Sequence, residues 1–192
     1  MMIRVRTRAL DGVVVLEPEV YSDDRGFFLE VFREDQFTAA GLPGHFAQDN
    51  HSGSVYSVVR GLHFQWDPPM GKLMRVTRGS AYLVALDIRH GSPTLGQFFA
   101  VEASVENRLQ VWAPAGFARG FCVVSDYAEV QYKCTGVYNS EAESGVRWND
   151  PKLGIRWPVA DPIVSEKDAR AQTLAEWLHR PESHHFRYDA AG

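Results

Sequence analysis

Val58-Val59-Arg60-Gly61-Leu62-His63-Phe64-Gln65 has the length and the β-branched and aromatic content of a strand, yet an arginine, an imidazole and an amide interrupt its apolar residues. Further short apolar runs lie on both sides of it: Val13 to Leu16, Gly26 to Phe32, Leu73 to Val76, Ala81 to Ile88, Gln97 to Val101, Leu109 to Trp112, Gly120 to Val124 and Glu129 to Cys134. Gly, Pro, Asp and Asn punctuate them. So many closely spaced short strands imply a mainly β protein, an antiparallel sandwich or barrel. Helical signals are few. Arg33 to Ala40 reads as a short helix stopped by Gly41. Ser165 to Leu178, near the C-terminus, begins on a serine cap and places Leu174, Trp177 and Leu178 on one face. From about residue 180 a polar tail carrying His184 and His185 is expected to lie on the surface or fray.

The 192 residues, 45% hydrophobic and 23% charged, suffice for one sizeable core, so residues 1–192 are expected to form a single domain. That composition excludes a disordered or fibrous chain. Lys and Arg number 20 against 24 Asp and Glu, a formal charge of −4. No overall positive field therefore exists to hold a nucleic acid polymer or an anionic membrane, and an anionic ligand must be met by local cations. No stretch approaches the roughly 20 apolar residues of a membrane span, and Val13 to Leu16 is too short for a signal-peptide core. Cys122 and Cys134 lie in apolar surroundings without a CxxC spacing, as expected of reduced cysteines in a cytoplasmic protein.

Polar residues gather inside segments that otherwise read as strands: Gln48-Asp49-Asn50-His51, then Arg60 to Gln65, Lys72, and Gln131-Tyr132-Lys133. Alternate strand residues face a barrel's lumen, so Gln48 and Asn50 share one face, as do His63 and Gln65. Such a wall is expensive to bury unless a ligand or water satisfies it. Each residue also has a plainer role open to it. A strand histidine can merely satisfy a core hydrogen bond, Lys72 can be a solvated hairpin residue, and Tyr132 an ordinary cross-strand aromatic. Ser165-Glu166-Lys167-Asp168 has the pattern of a helix capping box, yet Asp168 can equally orient an imidazole.

Pro114-Ala115-Gly116-Phe117-Ala118-Arg119 resembles the second motif of metal-binding cupins, in which a histidine ligand stands where this chain has Arg119. The first cupin motif offers two histidines and a carboxylate, and this chain offers His63-Phe64-Gln65. A charged arginine cannot ligate a metal and an amide is a poor ligand beside imidazole, so the motif is expected without its metal.

Longer stretches resemble the dTDP-4-dehydrorhamnose 3,5-epimerase family: Asp24-Arg25-Gly26-Phe27-Phe28, Gln48-Asp49-Asn50-His51-Ser52, Arg60-Gly61-Leu62-His63-Phe64-Gln65, Gly71-Lys72-Leu73, Asp87-Ile88-Arg89, Ser92-Pro93-Thr94, Tyr132-Lys133-Cys134-Thr135, Trp148-Asn149-Asp150-Pro151 and Ser165-Glu166-Lys167-Asp168. The resemblance implies a cupin or jelly-roll antiparallel β-barrel with a few short helices, a homodimer, no metal and no cofactor. It implies as substrate a dTDP-linked 4-keto-6-deoxy sugar. It places the catalytic base at His63, its carboxylate partner at Asp168, the proton donor at Tyr132 and a lysine near the keto oxygen at Lys72. It carries substrate binding to Arg25, Glu30, Gln48, Asn50, Arg60, Glu143 and Lys167, with Tyr138 stacking on thymine. Arg119 stands by the sugar where the family usually has histidine, which adds size, charge and fixed donors to the substrate-binding set. Because of it, an epimerase inverting carbon 3 alone remains an alternative, as does a non-catalytic sugar-nucleotide-binding cupin.

The chemistry is coherent. A ketone acidifies the hydrogens on both neighbouring carbons, and an imidazole tuned by a carboxylate can remove one at neutral pH. A fixed ammonium stabilises the resulting enolate more than the ketone, and a phenol can return a proton to the opposite face.

Overall fold

In the computed structural model, which describes residues 3–189, each expected apolar run forms or joins a strand. The first half of the chain forms β1 (Ile3–Ala9), β2 (Val13–Pro18), β3 (Val20–Asp23), β4 (Gly26–Leu29), α1 (Glu34–Ala39), β5 (Gln48–Val55), β6 (Val59–Gln65), β7 (Lys72–Arg78) and β8 (Ser80–Asp87). There follow β9 (Phe98–Ser104), β10 (Gln110–Ala113), β11 (Phe117–Val123), β12 (Tyr127–Cys134), β13 (Glu143–Gly145), α2 (Glu166–Ala169) and α3 (Leu174–Leu178). Six strands make one sheet, in the order β1-β2-β10-β7-β12-β5, and five make the other, in the order β13-β6-β11-β8-β9. Neighbouring strands run antiparallel. This is the jelly-roll type of architecture, built as two facing sheets rather than one closed hydrogen-bonded cylinder.

The period-two pattern decides which side chain enters which layer. Val13 and Val15 join Met74, Val76, Leu83, Val111, Phe121 and Val130 between the sheets, while Val14 and Leu16 point out to Phe37, Leu42, Leu73 and Trp112 beneath α1. On the far side of the five-stranded sheet, Leu62, Phe64, Val84 and Leu86 pack against Val146, Leu153, Leu174 and Trp177 from the C-terminal third. Sheet strands covered on both faces explain why runs such as β2 are apolar throughout instead of alternating. Both cysteines are free and buried.

One expectation for the C-terminal region is corrected. The single helix from Ser165 to Leu178 is two short ones. Ser165 caps α2, but a second signal, Thr173 with Glu176, forms a complete capping box and restarts the chain as α3. The intervening backbone is diverted to pair with the segment after β13, with Arg147 N donating to Gln172 O at 2.7 Å. Residues 180–189 of the tail lie at the surface and are docked there, while 190–192 lie outside the described residues. Phe186 is buried against Phe64 and Trp177, and the backbone is tied to His90 on both sides, His90 N to Phe186 O at 2.9 Å and Tyr188 N to His90 O at 3.0 Å. One aromatic residue in a polar stretch is enough to anchor it. Phe186→Ala is therefore expected to lower the unfolding free energy by ~3–5 kcal/mol in urea denaturation, the range of a buried Phe truncation. A change below about 0.5 kcal/mol, the size of an ordinary surface substitution, would mean that the tail is not packed.

Candidate active site

At one end of the sandwich the space between the sheets changes from apolar to polar, leaving a cavity lined by Ser52, Arg60, His63, Lys72, Met74, Arg119, Gly120, Phe121 and Tyr132. Its two walls come from different sheets. Strands β6 and β11 supply Arg60, His63 and Arg119, and β5, β7 and β12 supply Ser52, Lys72, Met74 and Tyr132. Five of the residues expected to act on or bind substrate, Arg60, His63, Lys72, Arg119 and Tyr132, thus share one cavity although 72 positions separate the first from the last.

His63 Nε2 lies 2.5 Å from Asp168 Oδ1, and Asp168 is only 4% exposed. The two readings of the Ser165–Asp168 motif both hold. Ser165 Oγ accepts the Asp168 backbone N–H at 3.1 Å as a helix cap, while the Asp168 carboxylate turns away from the helix toward the imidazole. Gly61 N–H adds a weak donor to the other carboxylate oxygen at 3.4 Å. Burial works to raise the Asp168 carboxyl, but His63, Gly61 and Ser165 together hold it below its ordinary value. An ionised carboxylate accepts from Nε2–H, which leaves the lone pair on Nδ1 and makes the ring a base of defined tautomer.

Across the cavity, Lys72 Nζ sits 4.8 Å from the centre of the Tyr132 ring. Burial, and then the nearby Arg119 charge, push the Lys72 ammonium down from 10.5 to about 8. Burial also raises the Tyr132 phenol, so it remains a protonated donor at neutral pH. Arg60 is held by Ser54 Oγ at 3.0 Å.

A second group stands on strands next to those of the cavity, with Asn50 opposite Tyr132 and Glu143 opposite Gln65. Gln48 donates to Asn50 Oδ1 at 3.0 Å and accepts from Tyr138 N at 2.8 Å, and the Tyr138 hydroxyl donates to Glu143 at 3.1 Å. Lys167 pairs with the same Glu143 carboxylate. Tyr138 itself is 54% exposed, an aromatic face open to solvent. Gln65 does not line the cavity. It is buried, donates to Pro68 O and Val137 O, both at 3.1 Å, and accepts from Asn139 N at 2.8 Å, so it fastens the loop that carries Tyr138. That role had no signal in the sequence beyond the amide itself. Ser52, on the inner face that Gln48 and Asn50 already mark, follows from the same alternation.

Two expected residues lie elsewhere. Arg25 stands at the turn of the β3–β4 hairpin, paired with Asp23 at 2.5 Å and lining a separate surface concavity with Tyr21, Phe27 and Phe28. Glu30 follows the hairpin and faces Arg33 at 3.7 Å.

The family model described as dTDP-4-dehydrorhamnose 3,5-epimerase matches residues 7–176. The chain belongs to this family. It is 50% identical over 171 residues to the dTDP-4-dehydrorhamnose 3,5-epimerase of Methanothermobacter thermautotrophicus, covering 88% of this chain and 92% of that protein. The fold superposes with a TM-score of 0.92, at 42% identity, on the dTDP-6-deoxy-D-glucose-3,5-epimerase of Legionella pneumophila Philadelphia 1 solved with dTDP-4-keto-L-rhamnose; 98% of this chain and 100% of that one are covered. A dTDP-4-dehydrorhamnose 3-epimerase from Streptomyces niveus is 39% identical over 176 residues, 91% of this chain and 85% of that protein. Within this epimerase family chain, Gln65 and Arg119, the positions that resemble cupin ligand positions, hold an amide committed to backbone and a guanidinium, a donor set that fits no metal.

The Lys72 environment gives a direct test. Its side-chain 13Cε resonance is expected to titrate near pH 8, below the value of about 10.4 ordinary for a lysine. A Lys72 midpoint at that ordinary value would show the ammonium to be solvated and the cavity open to bulk water.

Proposed function

We propose that this chain is an isomerase that inverts carbons 3 and 5 of a dTDP-linked 4-keto-6-deoxyhexose, in the synthesis of dTDP-L-rhamnose or a related deoxysugar. The observation that carries this reading is the placement of His63 and Tyr132 on opposite sheets with one cavity between them. His63 Nδ1 removes a proton from a carbon next to the ketone, and the imidazolium is stabilised by Asp168. Electron density moves to the keto oxygen, which Lys72 stabilises. Tyr132 then returns a proton from the other wall, so the carbon is inverted and not merely exchanged. Once His63 has released its proton to solvent and Tyr132 has regained one from it, the same steps at the second carbon complete the reaction, with no cofactor and no metal consumed.

Arg60 suits the charged part of a sugar nucleotide, because a guanidinium can grip two oxygens of a phosphate. Gln48, Asn50, Glu143 and Lys167 stand beside Tyr138, whose exposed ring is available to stack on a base. The family to which the chain belongs includes an enzyme acting at carbon 3 alone, and Arg119 alters the sugar end of the cavity, so single inversion is the second reading.

The deciding experiment incubates the protein with dTDP-4-keto-6-deoxyglucose in heavy water and locates deuterium by NMR. Label at carbons 3 and 5 is expected, and label at carbon 3 alone would select the second reading. Binding with no label in the wild-type chain would leave a non-catalytic sugar-nucleotide module. His63→Asn is expected to lower exchange at both carbons by ~10²–10⁴-fold with thymidine diphosphate still bound. Tyr132→Phe should reduce the yield of inverted sugar more than it reduces exchange. Near-normal exchange in His63→Asn would remove it as the base.

The protein is also proposed to act as a cytoplasmic homodimer. Arg25 and Glu30 do not reach the cavity of their own protomer, while their hairpin exposes Tyr21, Phe27 (56%) and Phe28 (60%). Seating that hairpin on a second copy would both cover the aromatic rings and offer Arg25 to the partner's cavity. Among the described residues no helix is long and apolar enough to cross a membrane. Light scattering is expected to give twice the chain mass, and Phe27→Ser with Phe28→Ser to shift it toward monomer. A monomeric wild-type chain that turns over at full rate would overturn this arrangement.

A further inference from the structure

Neither the fold nor the chemistry above fully accounts for Arg119. It lies on β11 and lines the catalytic cavity, yet it is only 3% exposed. Its Nη1 is saturated, donating to Met70 O at 2.8 Å, Pro114 O at 3.1 Å and Ala113 O at 3.3 Å. Nε and Nη2 are shut off from solvent and have no partner. A guanidinium is a rigid fork, so three carbonyls gripping one nitrogen fix the direction of the remaining edge. Buried donors without acceptors are rare and call for an explanation.

The electrostatics sharpen the point. Lys72 shares the cavity, and among the described residues neither Lys72 nor Arg119 forms an ion pair. The carboxylates closest to the chemistry are already engaged, Asp168 with His63 and Glu143 with Lys167 and Tyr138. Three cations, Arg60, Lys72 and Arg119, therefore line one cavity with no ion-pair partner among the described residues, and the Arg119 charge adds to the cost of charging Lys72. Such an arrangement favours an anion in the cavity.

We propose that Arg119 is a second electrophile: its free Nε and Nη2 edge and the Lys72 ammonium together hold the keto oxygen at carbon 4 as it becomes an enolate. The proposal rests on the epimerase reading and goes beyond it by assigning the anion site to two residues instead of one. The proton leaves carbon 3 or 5 for His63, the carbon's electron pair becomes the enolate double bond, and the charge on oxygen is shared by the two donors. Because these contacts strengthen only as charge develops, they act on kcat more than on KM.

The test compares the wild-type chain with Arg119→Met and the milder Arg119→Lys. It uses dTDP-4-keto-6-deoxyglucose in heavy water, with thymidine diphosphate binding and thermal unfolding as checks of integrity. Removing one oxyanion donor typically costs ~10²–10³-fold, and a fall of about a hundredfold in exchange at both carbons is expected, with KM moved by less than about threefold. In Arg119→Met the Lys72 midpoint should also rise from about 8 toward 10.5, because a neighbouring cation is gone. Arg119→Lys keeps a charge but loses the fork, so its exchange should fall while the Lys72 midpoint stays near 8. If Arg119→Met fails to fold, the lysine variant decides. Exchange within about threefold of wild type in a folded variant would overturn the proposal, as would a loss of exchange matched by an equal loss of thymidine diphosphate binding, the mark of a purely structural arginine. No exchange in the wild-type chain would instead overturn the epimerase reading, and this site with it.

Discussion

Strands β6 and β11 meet backbone to backbone at Gly61 and Gly120, and the geometry of the cavity follows from that contact. A Cβ on Gly61 would stand 2.7 Å from both Arg119 O and Gly120 Cα, and one on Gly120 would stand 2.5 Å from Arg60 O. Gly61 has φ +114°, a region open to glycine and strained for other residues. The pairing shifts at this point: Arg119 is opposite His63, and Phe121 is opposite Arg60. Two steps along β11 thus correspond to three along β6, the signature of a bulge. In a regular strand, residues three apart face opposite sides. The extra residue lets Arg60 and His63 both line the cavity, and it turns the Gly61 N–H out of the ladder toward Asp168.

This explains how far the sequence could be read. Apolar runs between turn residues located six of the eight strands of seven or more residues, because burial on one or both faces writes itself into composition; the largely exposed β1, Ile3–Ala9, gave no such run. β5 was harder, since Gln48–Val55 is polar along most of its length; its inner residues face the cavity mouth and its outer ones face solvent. Simple alternation correctly paired Gln48 with Asn50, but it also set Gln65 beside His63 in the lumen, whereas Gln65 is consumed in holding a loop. Neither the bulge nor the diversion of residues 170–172 into a backbone pairing has a local signature, because both are set by partners distant in sequence. The His63–Asp168 contact is of the same kind. Asp168 and His63 are 105 positions apart and meet only because α2 is capped beside β6.

Charge distribution repeats the lesson on a larger scale. A chain with net charge −4 has no general attraction for a nucleoside diphosphate. What it has is a set of cations, Arg60, Lys72 and Arg119, drawn into one concavity whose nearest carboxylates are committed to other partners. Low local polarity makes each of these charges worth more than on the surface, and it also lowers the affinity of Lys72 for its proton. The same burial therefore strengthens binding of an anion and brings the lysine close to losing its charge near neutral pH.

Why a two-sheet sandwich should host an inversion can be argued from its walls. A single sheet presents catalytic groups to one face of a flat enolate, and a base on that face can only take a proton and give it back with retention. Inversion needs an acid on the other face, held at fixed separation while the enolate exists. Here the five-stranded sheet carries His63 and the six-stranded sheet carries Tyr132, and the apolar core between Val15, Leu83, Val111 and Phe121 fixes the spacing of the two walls. The hydrophobic packing that stabilises the fold is thus also what keeps His63 and Tyr132 on separate walls, so in the proposed chemistry core packing and stereochemical outcome are one constraint.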